Sequence, residues 1–178
     1  MAGLPDLATA TDLDKFKSGD PATIVRQAQR VVRNYCRWHV SPVVEATFKL
    51  DGDGTKDLFL PTLEIVELLE VTNAGTVVDL ADIDDSDAGW LTLTSGTWSC
   101  RSGKVIVKLR HGHETPPEDV VGVISAVAAR MADSPMGRSR EHAGQVDVTK
   151  AQVAPNISGF ALMKHEKELL DPYRIPDA

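Results

Sequence analysis

Tyr35-Cys36-Arg37-Trp38-His39-Val40-Ser41-Pro42-Val43-Val44-Glu45-Ala46-Thr47-Phe48-Lys49-Leu50 is the stretch where the chain changes period. Upstream of it, Ile24, Val25, Ala28, Val31, Val32, Tyr35 and Cys36 recur at three- and four-residue spacing, one apolar stripe of a helix. Asp20-Pro21 starts that helix, with an acceptor side chain at the cap and proline in the first turn. Pro42 disfavours helix in the residue before it. Beyond it, Val44, Ala46, Phe48 and Leu50 alternate with Glu45, Thr47, Lys49 and Asp51, as in a half-buried strand.

Working outward, Asp51-Gly52-Asp53-Gly54 reads as a hairpin turn, and Leu58-Phe59-Leu60-Pro61 as a short return strand. Further strands are expected at 65–71, 76–80, 90–93 and 105–109, separated by Asn73-Ala74-Gly75, an acidic stretch at 82–87 and Ser95-Gly96. A second long helix opens after Thr115-Pro116-Pro117 and buries Val120, Val123, Ile124, Val127, Ala128 and Met131. A short helix is expected at 11–17. Residues 137–157 have little period, although 146–149 suits a short strand, and a last helix follows over 158–174.

The order predicts an α+β fold in a single domain, 1–178. Two long helices and short N- and C-terminal helices form a mainly helical core, with a small antiparallel β subdomain inserted at 43–110 and an irregular arm at 137–157.

Composition narrows the function classes. Of 178 residues, 26 are acidic and 19 basic, a net charge of −7, with 42% hydrophobic and 5% aromatic residues. That balance suits a globular protein with a real core. An acidic chain poor in aromatics argues against a general nucleic-acid binder. No apolar run reaches the ~20 residues of a membrane span. The first residues lack the basic-then-apolar order of a signal peptide, so an intracellular setting is expected. Two cysteines, Cys36 and Cys100, make no disulfide framework, and Cys36 lies on the apolar stripe as a small buried hydrophobe.

Few residues are arranged for chemistry. The run from Asp51 to Asp57 opens like a calcium loop, but Lys56 stands where that loop needs glycine and Thr62 where it needs a closing glutamate. His111-Gly112-His113-Glu114 offers two imidazoles without a second well-spaced His/Cys pair, and reads as a solvated strand-to-helix connection. With the aspartates at 82–87 it is the basis of an alternative reading as a small metal-dependent hydrolase. Arg26, Arg30, Arg33 and Arg37 recur along one side of the first long helix, which reads as a solvated face and otherwise as the basis for a DNA-binding regulator. No nucleophile elbow, zincin motif, P-loop or dinucleotide fingerprint is present.

Four stretches together resemble the head–tail connector (adaptor) proteins of long-tailed bacteriophages. The first runs from Leu7-Ala8-Thr9-Ala10-Thr11-Asp12-Leu13 to a helix ending Val32-Arg33-Asn34-Tyr35-Cys36-Arg37-Trp38-His39-Val40-Ser41-Pro42; the second ends Leu58-Phe59-Leu60-Pro61-Thr62-Leu63. The third is Val105-Ile106-Val107-Lys108-Leu109-Arg110-His111-Gly112-His113, with Pro117-Glu118-Asp119-Val120 opening an alanine-rich helix. The fourth is Met136-Gly137-Arg138-Ser139-Arg140-Glu141, passing to Glu168-Leu169-Leu170-Asp171-Pro172-Tyr173-Arg174. They span most of the chain, and Tyr-Cys-x-Trp-His with His-Gly-His is the most specific part.

The resemblance implies a non-enzymatic virion component without catalytic residues, metal or cofactor, located in the neck and present in the host cytoplasm during assembly. Such proteins form a ring, typically dodecameric, under the portal protein, and dock a stopper or tail-terminator protein. They lengthen the channel through which genomic DNA passes without sequence-specific binding, and no membrane is involved. Asp82, Asp84, Asp85 and Asp87 are then candidates for an acidic channel or rim that repels phosphates. Arg138, Arg140, Glu141, Phe160, Tyr173 and Arg174 are candidates for subunit or portal contacts. The alternative within this class is another neck component, a stopper or tail-completion protein, for which a mostly β chain is expected.

Overall fold

The computed structural model describes residues 19–86, 89–133, 140–143, 146–149 and 161–176. The chain divides into two compact units, one of residues up to Tyr35 with Glu118–Leu170, the other of Cys36–Pro117 with the residues from Asp171 onward.

In the first unit, helix α1 (Pro21–Cys36) begins where Asp20 accepts hydrogen bonds from the Thr23 amide at 2.9 Å and from its hydroxyl. Ile24, Ala28 and Val32 bury the predicted stripe, while Arg26, Arg30 and Arg33 stay exposed. Helix α2 (Glu118–Asp133) starts directly after the two prolines and buries Val120, Val123, Val127 and Met131. Helix α3 (Lys164–Leu170) is short, and the predicted last helix gives way at Asp171–Tyr173 to a 3-10 turn. A buried ion pair joins α2 to α3: both guanidinium Nη atoms of Arg130 donate to Glu166, Nη2 at 2.9 Å, and the Met163 amide donates to the same carboxylate at 2.8 Å. Burial alone would raise the Glu166 carboxyl pKa, but the Arg130 and Met163 hydrogen bonds hold it below its ordinary value. Between these helices, β8 (Arg140–Ala143) and β9 (Val146–Thr149) pair as an antiparallel hairpin.

The second unit contains β1 (Val44–Leu50), β2 (Asp57–Phe59), β3 (Ile65–Asn73), β4 (Thr76–Val78), β5 (Ile83–Ser86), β6 (Trp90–Leu93) and β7 (Val105–His111). They form a four-stranded sheet in the order β1-β7-β3-β4 and a three-stranded sheet in the order β2-β6-β5, every pairing antiparallel. Leu58, Leu60, Val71, Ile83, Leu91, Leu93, Trp98, Val105, Val107 and Leu109 make one core to which both sheets contribute. Trp98 closes it, its indole N–H donating to the Lys56 carbonyl at 2.7 Å. Gly89, at φ 82°, sits so close to the β2 end that an added Cβ would lie 2.0 Å from the Thr62 carbonyl oxygen.

This corrects the expected fold class. The molecule is not a mainly helical core carrying a small β insertion: nine strands stand beside three α-helices among the described residues, and two antiparallel sheets build an apolar core of their own. Each 16-residue helix announces itself by one long periodic stripe, whereas strands of three or four residues give weak local signals and acquire a core only by pairing. The acidic stretch shows this best: it was expected as a loop, yet Asp84 and Asp85 lie in β5, which buries Ile83 and exposes its carboxylates on a sheet edge. The expected helix at 11–17 lies outside the described residues.

Candidate functional site

Where α1 ends, the backbone turns through two left-handed residues, Arg37 at φ 70° and Val40 at φ 64°, followed by a cis Ser41–Pro42 bond. A β-branched residue in that region is strained and persists only where its surroundings hold it. Val40 is buried, and its carbonyl accepts the His113 amide at 2.8 Å. Gly112, at φ 109°, lets the two segments touch: a Cβ there would lie 2.5 Å from His39 Nε2 and 2.6 Å from the Pro42 carbonyl.

The C-terminal segment completes this junction within the same unit. The Trp38 indole donates to the Tyr173 carbonyl at 2.7 Å, and the Ile175 amide donates to the Cys36 carbonyl at 3.0 Å. Rings pack around it edge-to-face or tilted: the centroid of His39 lies 4.4 Å from that of His111, Trp38 lies 5.8 Å from His113, and Tyr173 lies 6.1 Å from His113. Three stretches far apart in sequence, 36–42, 111–113 and 173–175, are thus tied by backbone and side-chain hydrogen bonds.

The imidazole of His111 is not solvated, contrary to the reading of its segment as a solvated connection. Alternation along β7 places His111 in phase with buried Val105, Val107 and Leu109, and it is 4% exposed. That phase is visible in the sequence and would have found it. Burial, and then the neighbouring His39, push its pKa down to about 4, so the ring is neutral at physiological pH. Its Nδ1 lies 3.0 Å from the Thr62 hydroxyl, and that oxygen also accepts the Glu64 amide at 3.3 Å. A hydroxyl beside an imidazole is a nucleophile–base pair in outline. Here Thr62 is fully buried, so the pair braces the β2–β3 connection against β7 and offers no access to a substrate. His113 Nδ1 stands 3.8 Å from Glu64, and no cluster of three or more His, Cys, Asp or Glu side chains placed to hold a metal occurs among the described residues. Burial pushes the Cys36 thiol up to about 11, which keeps it protonated.

The remaining expected site residues are dispersed. Tyr173 and Arg174 belong to the junction region, Tyr173 through its carbonyl and ring, Arg174 through an amide donating to the Asp171 carbonyl at 3.1 Å. Asp82 ends a 3-10 turn, and Asp84 and Asp85 follow it on β5, all exposed. Arg140 and Glu141 fall on β8 of the hairpin in the other unit. Asp87, Arg138 and Phe160 lie outside the described residues. Among the described residues no helix is long and apolar enough to cross a membrane. No model of a known protein family and no curated protein matches the chain.

Proposed function

We propose that this chain is a structural neck protein of a long-tailed bacteriophage, a head–tail connector that assembles as a ring under the portal and lengthens the DNA channel. The observation that carries the reading is the junction. Tyr35-Cys36-x-Trp38-His39, His111-Gly112-His113 and Asp171-Pro172-Tyr173-Arg174, residues on which the family resemblance rests, meet largely in one hydrogen-bonded knot. Their shared work is to hold three chain segments together, which suits a protein whose product is a shape. The charge of −7 agrees with a conduit: acidic walls repel the phosphate backbone and keep DNA sliding.

A second role in the same neck draws support from the two-sheet core. A stopper or tail-completion protein is expected to be mostly β, and here two antiparallel sheets share an apolar core of their own. One experiment separates the two roles. The full chain is co-expressed with the portal protein encoded in the same genome and the particles are viewed by electron microscopy. A ring seated directly on the portal is the expected result. Binding only to portals that already carry another ring assigns the stopper role, and binding to neither overturns both.

A further inference from the structure

Alternation along β2, β5 and β6 sends Leu58, Ile83, Leu91 and Leu93 inward and leaves a second face outside. In cross-strand register that face has two rows, Asp57–Thr92–Asp84 and Phe59–Trp90–Ser86. Trp90 is 46% exposed, and its ring lies 5.2 Å from that of half-buried Phe59. A sheet face that only meets water gains nothing from an indole, because its apolar surface is unfavourable there at about 25 cal/mol per Å². Both ionisable groups in these rows are aspartates, and Asp82 adds an exposed carboxylate beside β5, whereas Asp85 is in register with buried Leu91 and belongs to the other side of the sheet. An aromatic anchor with carboxylates in the neighbouring row fits arginine, whose guanidinium stacks on indole and bonds to carboxylates.

Helix α1 presents that partner chemistry. None of its 16 residues is acidic, and Arg26, Arg30 and Arg33 share one exposed side at helical spacing, with Val25 beside them 41% exposed. Tryptophan and arginine are also the residue types that dominate binding energy at protein interfaces. We infer that the Phe59/Trp90 face of one copy docks the arginine side of α1 of a second copy. The two patches differ, so the contact is head-to-tail and propagates into a closed ring, and in this respect it rests on the connector reading.

Charge exchange tests it on the full chain. Wild-type protein at millimolar concentration and low salt should associate in sedimentation velocity and dissociate as salt rises. D57K/D84K should stay monomeric, R26E/R30E should stay monomeric, and an equal mixture of the two should associate again. W90A should weaken association about tenfold or more, with far-UV circular dichroism unchanged because the substituted side chain is exposed. Wild type that stays monomeric at low salt, or charge variants that associate like wild type, would overturn the inference. Short duplex DNA retained by wild type and released by R26E/R30E would reassign the arginine side to nucleic acid and overturn it as well. Rings on the portal that survive D57K/D84K would refute this face alone. Association through this face without any seating on the portal would refute the connector reading alone.

Discussion

His111 shows how one side chain can couple fold stability to acidity. Its folded pKa of about 4 lies below the 6.5 of a free imidazole. The neutral ring is present in both folded and unfolded chains above pH 6.5, so no stability is lost there. Between the two values the unfolded chain takes up the proton and the folded chain does not. Stability therefore falls with acidity across this window, by up to about 1.4 kcal/mol per pH unit. Thermal melting followed from pH 7 to pH 4 should show that decline, and H111Q should flatten it while lowering stability at neutral pH. Trp38 gives a simpler case: W38F keeps the ring but removes the donor to the Tyr173 carbonyl, a loss of about 1 kcal/mol in chemical denaturation. The two cysteines should separate by reactivity. Exposed Cys100 should take up an alkylating reagent in the native protein, and buried Cys36 only after unfolding, as mass spectrometry would show. Cys36 was legible from its place on the apolar stripe. His111 is legible once the alternation of β7 is followed one step further, whereas His39 and His113 are not, because the groups they meet come from segments distant in the chain.

Elements are held by contacts that no local pattern announces. The short α3 has seven residues, too few for an isolated helix, and its attachment to α2 runs through the Arg130–Glu166 pair. Removing one partner of a buried ion pair leaves the other charge unpaired, so E166A should destabilise the helical unit by about 3 kcal/mol. Amide exchange in α3 should accelerate with it, whereas Lys164–Glu168, an exposed pair on the same helix, should be dispensable. In the β unit, G89A should be among the most damaging small substitutions, since both its φ and the Thr62 carbonyl forbid a Cβ. The periods of α1, α2, β1 and β7 were all legible, being long enough to show their stripe or alternation. The acidic β5 was not: its inward side holds little more than Ile83, and a run of aspartates reads as a solvated loop until a neighbouring strand supplies its hydrogen bonds.

At the scale of the molecule, the chain end is a structural part of the β unit. Residues 171–176 return from the helical unit to receive the Trp38 donor and to bury Ile175. Truncation after Leu170 should therefore lower the stability of the β unit, read as earlier exposure of Trp98 in denaturant, while a shorter truncation after Pro176 should not. The sequence alone determined where the two long helices and most strands begin, how charge is distributed, and which residues form the apolar stripes, because these depend on spacing and on side-chain chemistry within a few neighbours. Only the tertiary structure decided that the strands form two sheets with an apolar core of their own, that acidic residues enter a sheet edge, and that Trp38, His113 and Tyr173 meet. Those outcomes depend on pairing between segments distant along the chain, where the gain from burying both partners exceeds local preference and no short pattern records it.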